Sequence, residues 1–514
     1  MRVPLTVADF IERAELVFPE RTGAIDEPSP PGGSLGTITY GQIARKARGM
    51  AGALDRMGVG LGERVAIVSP NAARFLVTFY GTSAYGRIVV PINFRLNSEE
   101  IAYIVEHSGA SVLLIDPEIE SQVAGVTAKH RILLDGVEDA ELFAEGDDPG
   151  ELWTPDEDAT ASINYTSGTT ARPKGVQITH RNAWINTMTF GFHAGINDRD
   201  VYLHTLPMFH CNGWGMPYAL TGMGVPQVVL RKVDGEDILS RVEQHGVTLL
   251  NGAPAVVAAI LDAASARRDK GEPTPGAGTV RMIVAGAPPP TRVIERMETE
   301  LGWEFIQIYG LTETSPILTM NRAPKEWDGL ESGERAQRLN RAGVPVIGVR
   351  MRVDSEGEVL ARANEVFEGY WEQPEETSKA IVDGWFHTGD GGHLDGPYIV
   401  IADRKKDVII SGGENVSSIE VEDCLFQHPA VAEACVIGVP DEKWGETVKA
   451  LVVLRDGQTA SEADLIEHCR SKIAHFKCPT SVEIRDALAR TATGKLQKFK
   501  LRQPYWEGRE KRVN

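Results

Sequence analysis

The residues best suited to chemistry lie between Tyr165 and Gly175, in the run Tyr-Thr-Ser-Gly-Thr-Thr-Ala-Arg-Pro-Lys-Gly. Hydroxyls, glycines and two cations fill a stretch too polar for a core. An apolar, strand-like run from Ala161 to Tyr165 precedes it, and a helix-like segment beginning near Thr179 and His180 follows. A strand feeding such a loop presents backbone N–H groups, hydroxyls and positive charge to phosphate oxygens. The order Lys174-Gly175 departs from the Gly-Lys-Ser/Thr of a Walker A loop, and Pro173 stiffens the turn. A surface linker is the competing reading, but linkers seldom end in Arg-Pro-Lys-Gly.

Two further segments carry chemistry. Tyr309-Gly-Leu-Thr-Glu-Thr-Ser315 follows a short strand, Glu304 to Ile308. Tyr309 offers a ring for stacking, and Gly310 lets the backbone approach closely. Thr312 and Glu313 offer oxygens that suit a hard cation such as the magnesium of a polyphosphate. Alone, this pattern also reads as a helix cap. Phe386-His-Thr-Gly-Asp390 is a turn whose carboxylate can accept two ribose hydroxyls, or simply an Asp-Gly turn. Arg404 is either a ribose or phosphate contact or a solvated charge.

The elements that position these residues alternate along the chain. Tyr40–Met57, Ala72–Tyr85 and Ser98–Glu106 read as helices between the strands Arg64–Ser69, Arg87–Ile92 and Ser111–Asp116. After the polar loop the pattern repeats. It runs through helices at Arg181–Phe192, Gly235–His245, Pro254–Arg267 and Thr291–Thr299, and strands at Val201–Leu206, Val225–Arg231, Leu249–Gly252 and Val280–Ala285. The alternation predicts α/β architecture with two related subdomains. From about Ala342 to Ile401, short strands with glycine turns predict a small β-rich subdomain. The basic cluster Asp403-Arg-Lys-Lys-Asp407 leads into a glycine turn, Ser411–Asn415, and then a compact β/α pattern. The boundary falls at Lys405–Lys406, giving a large domain over 1–405 and a small α+β domain over 406–514.

The chain has 514 residues, too many for one compact core. Its formal charge of −19 argues against nonspecific binding to nucleic acid or anionic membranes. An acidic protein that binds polyphosphate must therefore concentrate positive potential locally. Five cysteines without a Cys-x-x-Cys pair predict a reducing, cytoplasmic compartment. Charge near the start of the chain replaces the apolar run of a signal peptide. No apolar stretch is long enough for stable membrane insertion.

The order of the segments is more specific than any one of them. The hydroxyl-rich loop, the Tyr-Gly-Leu-Thr-Glu turn, the His-Thr-Gly-Asp turn, the Asp-Arg-Lys-Lys-Asp cluster and a late Thr493-Gly-Lys495 follow in sequence. This resembles the adenylate-forming superfamily of acyl-CoA synthetases, peptide-synthetase adenylation domains and beetle luciferases, over about Thr6 to Leu501. The resemblance implies that Thr166, Ser167, Gly168, Thr169, Thr170 and Lys174 hold the β- and γ-phosphates of ATP. It places adenine between Gly286, Ala287, Pro288 and the Tyr309 ring, with Gly310 alongside. Thr312 falls near the α-phosphate, and Glu313, with Thr170, near Mg²⁺. Asp390 and Arg404 would hold the ribose, and Lys406 the hinge. Lys495 would be the catalytic lysine of a mobile C-terminal lid. The Ser411–Asn415 turn, with Gly412 and Gly413, would enter the site for the second half-reaction.

The implied reaction joins a carboxylic acid to AMP, releases pyrophosphate, and transfers the acyl group to the thiol of CoA. Pro207-Met-Phe-His-Cys-Asn-Gly-Trp214 resembles the gate segment of fatty and medium-chain synthetases, with Phe209 and Trp214 on the acyl group and His210 near its carboxylate. No acid occupies this segment, whereas amino-acid-activating relatives usually place an aspartate there. A fatty, aryl or natural-product acid is therefore favoured over a zwitterion. Loading of a carrier-protein phosphopantetheine, and a non-catalytic nucleotide- or acyl-binding protein, are the alternatives. Monomers and homodimers both fit the resemblance. Ala171 replaces a usual glycine, Arg362-Ala-Asn-Glu365 replaces a more typical Arg-Gly stretch, and Leu394–Tyr398 is shorter than usual.

Overall fold

A computed structural model describes residues 1–166, 173–286, 289–404, 407, 409–411, 414–441, 444–490 and 496–507. Helix starts follow local chemistry. Thr39 and Gln42 form a capping box that opens Tyr40–Arg56, Asn97 and Glu100 open Ser98–Ser108, and Thr179 and Asn182 open His180–Ala194. Gly109 and Gly195 end two of these helices in the left-handed conformation. The strands between them, such as Arg64–Val68 and Ile88–Ile92, are short β-branched runs buried almost throughout.

Two large sheets form the α/β core. A seven-stranded sheet runs Gly369–Tyr370, Lys174–Thr179, Thr160–Thr166, Ile88–Ile92, Arg64–Val68, Ala110–Ile115, His130–Leu133. A nine-stranded sheet centres on Glu304–Gly310, Arg281–Val284, Leu249–Gly252 and Tyr202–His204, paired in parallel. A third, antiparallel sheet carries Trp385–Asp395 against Tyr398–Arg404. The small C-terminal unit has its own sheet, centred on Val431–Asp441 and Gly445–Leu454, and its own apolar core around Val421, Leu425, Val436 and Leu465. It meets the large unit where Asp423 accepts from the Thr291 backbone N–H at 2.9 Å and from the Thr291 hydroxyl at 3.3 Å. No described helix is long and apolar enough to cross a membrane.

Two features differ from the sequence reading. The helix begins at His180 as expected, but the end of the polar loop is itself a strand. Lys174–Thr179 is a strand antiparallel to Thr160–Thr166, with Thr166 opposite Lys174. Pro173 and Gly175 hide this strand, because both are poor strand formers. The two subdomains also interleave. Thr22–Ile25 and Thr37–Thr39 belong to the second sheet, and Gly369–Tyr370 to the first.

Polar side chains lock the two sheets together. The Asn71 amide donates to the carbonyls of His204, Leu206 and Leu230 at 2.8, 3.0 and 3.2 Å, and its oxygen accepts from the Met208 N–H at 2.7 Å. The chain between His204 and Phe209 is thus held from the opposite subdomain. Asn71→Ala leaves these buried groups unpaired and should cost about 3 kcal/mol or more, read as a drop in unfolding free energy by denaturant titration.

Glu365 is fully buried while its carbonyl accepts from the Ser315 hydroxyl at 2.8 Å. Burial, opposed by its own backbone N–H and the Thr189 hydroxyl, pushes its carboxyl up to about 7. The native state therefore keeps a proton that the unfolded chain releases near 4.5. Stability falls as pH rises from about 4.5 to about 7, by about 3 kcal/mol in all, and is flat beyond. Glu365→Gln should remove this loss, so its stability relative to the parent should be greater at pH 8 than at pH 5 in parallel urea titrations.

Candidate active site

The hairpin Thr160–Thr166/Lys174–Thr179 carries the polar loop at its tip. Thr166 and Lys174 pair across the hairpin next to the tip, and both are half-buried. Ser167, Gly168, Thr169 and Thr170 lie outside the described residues. Gly175 packs tightly: a Cβ there would meet Ile163 Cγ2 at 2.9 Å and Tyr165 Cζ at 3.0 Å. The Lys174 ammonium bonds Glu376 at 2.5 Å and lies 4.8 Å from the Tyr370 ring centroid. Lys174 first, then Lys379, holds the Glu376 carboxyl down to about 2.

The second segment emerges at the end of strand Glu304–Gly310. Gly310 is obligatory, since a Cβ would fall 1.6 Å from the Pro316 carbonyl oxygen. Thr312–Thr314 then forms a 3₁₀ turn that leaves Glu313 partly exposed. Tyr370 donates its phenol to Glu313 Oε1 at 2.9 Å, and the Phe367 N–H bonds the Glu313 carbonyl at 2.8 Å. Burial, and then the Glu313 charge, pushes the Tyr370 phenol well above its ordinary range. Tyr370 therefore stands between the loop lysine and the Glu313 carboxylate.

Tyr309 donates to Asp390 Oδ2 at 2.7 Å. Asp390 is 8% exposed, its N–H bonds the Thr388 hydroxyl at 3.1 Å, and it lies opposite Arg404 in strand register. Gly286 follows strand Arg281–Val284 with φ of 95°, and open space lies where a Cβ would point. Such a bare stretch of backbone suits a flat ring lying beside it. Ala287, Pro288, Lys406, Gly412, Gly413 and Lys495 lie outside the described residues.

The third segment has an unusual backbone. His210 is half-buried, and its N–H bonds the Pro207 carbonyl at 3.1 Å. After it, Cys211, Asn212, Gly213, Trp214 and Gly215 adopt φ of 46, 51, 60, 62 and 75°. Left-handed geometry costs each of the three non-glycine residues about 1–2 kcal/mol, so the surroundings must hold the turn. Asn212 bonds Ser162 and Asn164 on the hairpin strand. The Trp214 carbonyl accepts from the Asn186 amide at 3.2 Å, and the Cys211 thiol points to the Thr312 carbonyl at 3.9 Å. Burial, and then Glu313, pushes that thiol far up, so it stays protonated. Phe209 packs edge-on against Phe94 at 5.7 Å, and Phe209 and Trp214 are 6% and 4% exposed. The turn is a neutral, apolar wall.

These contacts join three segments remote in sequence. Tyr370 links Lys174 to Glu313, and Cys211 links the apolar wall to Thr312. Glu313 fits a cation that arrives already bound to phosphates, because one carboxylate with water and phosphate oxygens suits magnesium. Among the described residues, no cluster of three ligating side chains stands ready to hold a metal alone. Tyr370, Glu376, Asn186 and Asn212 escape sequence reasoning. Gly369-Tyr370-Trp371 looks like an ordinary strand end, and nothing local ties it to Glu313.

Comparison with known proteins agrees with this geometry. The AMP-binding enzyme model matches residues 11–371, and the AMP-binding enzyme C-terminal domain model matches 420–495. The chain is 35% identical to a 2-methylpropanoate–CoA ligase of Humulus lupulus, covering 97% of this chain and 95% of that one. It is 36% identical to 4-hydroxybutyrate–CoA ligase 2 of Metallosphaera sedula, covering 97% and 94%. The solved o-succinylbenzoate CoA synthetase of Bacillus subtilis, in complex with its acyl-adenylate intermediate, superposes with a TM-score of 0.82 at 27% identity, over 96% and 97% of the two chains. The same synthetase in complex with ATP and magnesium superposes at 0.81. The chain belongs to the AMP-binding enzyme family, within the adenylate-forming superfamily, and is an AMP-forming acid–CoA ligase that uses ATP, Mg²⁺ and CoA.

Proposed function

We propose that the acid is a short aliphatic monocarboxylate with an uncharged tail, and that the wall from Phe209 to Trp214 measures it. The observation that carries this reading is the burial of Phe209, Cys211 and Trp214 in one neutral turn beside Thr312. A charged tail would be left unpaired there. Relatives named for 2-methylpropanoate and 4-hydroxybutyrate support small acids.

In this reading the acid carboxylate oxygen attacks the α-phosphorus of ATP. The bond to the β-phosphate oxygen breaks, and pyrophosphate leaves. Catalysis is positioning and charge neutralisation, with no covalent enzyme intermediate. Thr166 and Lys174, with Ser167, Gly168, Thr169 and Thr170, hold the β- and γ-phosphates. To reach them, Lys174 gives up Glu376. Gly286, Ala287, Pro288, Tyr309 and Gly310 hold adenine, and Asp390 with Arg404 holds the ribose. The Tyr309 phenol keeps Asp390 aimed. Thr312 lies by the α-phosphate, and His210 by the acid carboxylate. Glu313, with Thr170, would hold Mg²⁺, which supplies Lewis-acid charge neutralisation on the phosphates.

Residues 1–405 form the body and 406–514 a lid that turns at Lys406. Lys495 on the lid bridges acid and nucleotide in the first step. It then withdraws, and the turn with Gly412 and Gly413 replaces it. The CoA sulfur attacks the acyl carbonyl, loses its proton, and expels AMP.

Pyrophosphate release from a series of C2 to C12 acids, with ATP and CoA, tests the substrate. The kcat/KM should peak at six carbons or fewer and be at least about tenfold lower at C12. Trp214→Ala should move the optimum to longer acids. A maximum at C10 or C12 in the parent overturns the reading.

Lys495→Ala should cut adenylation by at least about 10²-fold, equivalent to about 2.7 kcal/mol. Thioester formation from supplied acyl-adenylate should fall much less. Equal losses in the two half-reactions would refute the role of the lysine.

A further inference from the structure

We infer that Asn251 makes the acid site selective for tails that end in a hydroxyl, so that the substrate class is a short ω-hydroxy carboxylic acid. The inference rests on the turn Phe209–Trp214 being one wall of that site, and it assigns the facing side to strand Leu249–Gly252.

Alternation along the strand fixes the face on which Asn251 stands. Leu249 belongs to the apolar core that holds Phe209, Cys211 and Trp214, whereas Leu250 belongs to the core on the other side of the sheet. Asn251 is two residues beyond Leu249 and shares its face. Its register partner Ile283, and Ile306 on the next strand, lie in the same core as the turn. One amide thus interrupts an aliphatic surface turned toward the wall. The Thr205 hydroxyl donates to the Asn251 carbonyl, which fastens this strand to the chain leading into Phe209. The backbone of Asn251 is therefore held while its side chain stays uncommitted.

Asn251 is 0% exposed, and neither its Oδ1 nor its Nδ2 has a hydrogen-bond partner among the described residues. Among those residues it is the one neutral side chain with both polar atoms in that condition. An apolar residue of the same shape would avoid the cost of two unpaired atoms, so the amide calls for a ligand group. A charged group would meet no counter-charge on Leu249, Ile283, Ile306 or the turn. A hydroxyl carries a donor and acceptor lone pairs, so it can donate to Oδ1 or accept from Nδ2. A methyl in its place leaves both atoms stranded.

Register also sets where on the tail the hydroxyl belongs. Asn251 is level with Ile283, three residues before Gly286. It therefore lies about 10 Å down the strands from the backbone proposed to line adenine. The carboxylate must stay beside the nucleotide, so only the far end of a short acid reaches the amide.

The test measures kcat/KM for pyrophosphate release with ω-hydroxy acids of three to six carbons. Each is paired with the straight-chain acid in which a methyl replaces the hydroxyl. In the best pair the parent should favour the hydroxy acid at least about tenfold. Asn251→Leu exchanges the amide for an apolar side chain of similar size and should bring that ratio to about one or below. Asn251→Ala removes the same two polar atoms and should do likewise, which decides the matter if the leucine variant does not fold. Thermal midpoints are read alongside. Asn251→Leu should melt no lower than the parent, because it removes two unpaired polar atoms.

Equal rates within every pair in the parent, or a preference for the methyl acids, overturn the inference. A hydroxyl preference that survives both variants also overturns it, and a lowered midpoint in Asn251→Leu then shows that the amide serves the fold alone. A maximum at C10 or C12 in the straight-chain series defeats the wall, and the inference with it. A short-chain maximum that Trp214→Ala displaces, without any hydroxyl preference, leaves the wall standing and refutes the role of Asn251 alone.

Discussion

An acyl tail wants dry, apolar surroundings, a triphosphate wants charge and hydrogen-bond donors, and the two must meet within bond-forming distance. That conflict governs the site. In the proposed reading, the chain resolves it by building the dry wall and the polar loop on separate segments and joining them through small neutral amides. Asn71, Asn186 and Asn212 each cross a boundary between elements. Amides can do this inside a core because they carry no net charge and satisfy donors and acceptors together. A lysine or glutamate in their place would face a much larger cost of desolvation.

Charge is handled by local pairing. The protein is strongly acidic overall, yet Lys174 sits where polyphosphate is proposed to bind. Glu376 accompanies it, and the Tyr370 ring lies beneath it. A lysine in a partly buried site is thereby paired and oriented. Glu313 is treated similarly, with the Tyr370 phenol supplying a neutral donor. One tyrosine thus serves both a cation and an anion without adding charge of its own.

Much of this architecture is legible in the sequence. Helices such as Gly235–His245 show clear starts and glycine stops, and the buried strand Leu249–Gly252 stands between turn signals. The segments with distinctive composition, around Thr166, Tyr309 and Asp390, could be picked out because their residue types are costly to place without a purpose. What escapes is anything decided by contact across sheets. The strand Lys174–Thr179 is obscured by its proline and glycine neighbours, because its stability comes from pairing with Thr160–Thr166 and Gly369–Tyr370. Asn212 reads as one polar residue in an apolar run, since its partners lie some 50 residues earlier. The burial of Glu365 is equally invisible, as a lone glutamate in a polar stretch ordinarily faces solvent.

The interleaved sheets bear on how the polypeptide emerges from a ribosome. Thr22–Ile25 lies parallel to Gln227–Val229, roughly 200 residues downstream. At about 5–20 residues per second, its partner strand is made some ten to forty seconds later. The early helices and the strands from Arg64 to Ile115 can collapse together meanwhile, but the side of Thr22–Ile25 that does not pair with Thr37–Thr39 stays open. Nascent-chain binding by chaperones is therefore most needed at Thr22–Ile25, over the interval before Gln227–Val229 is made.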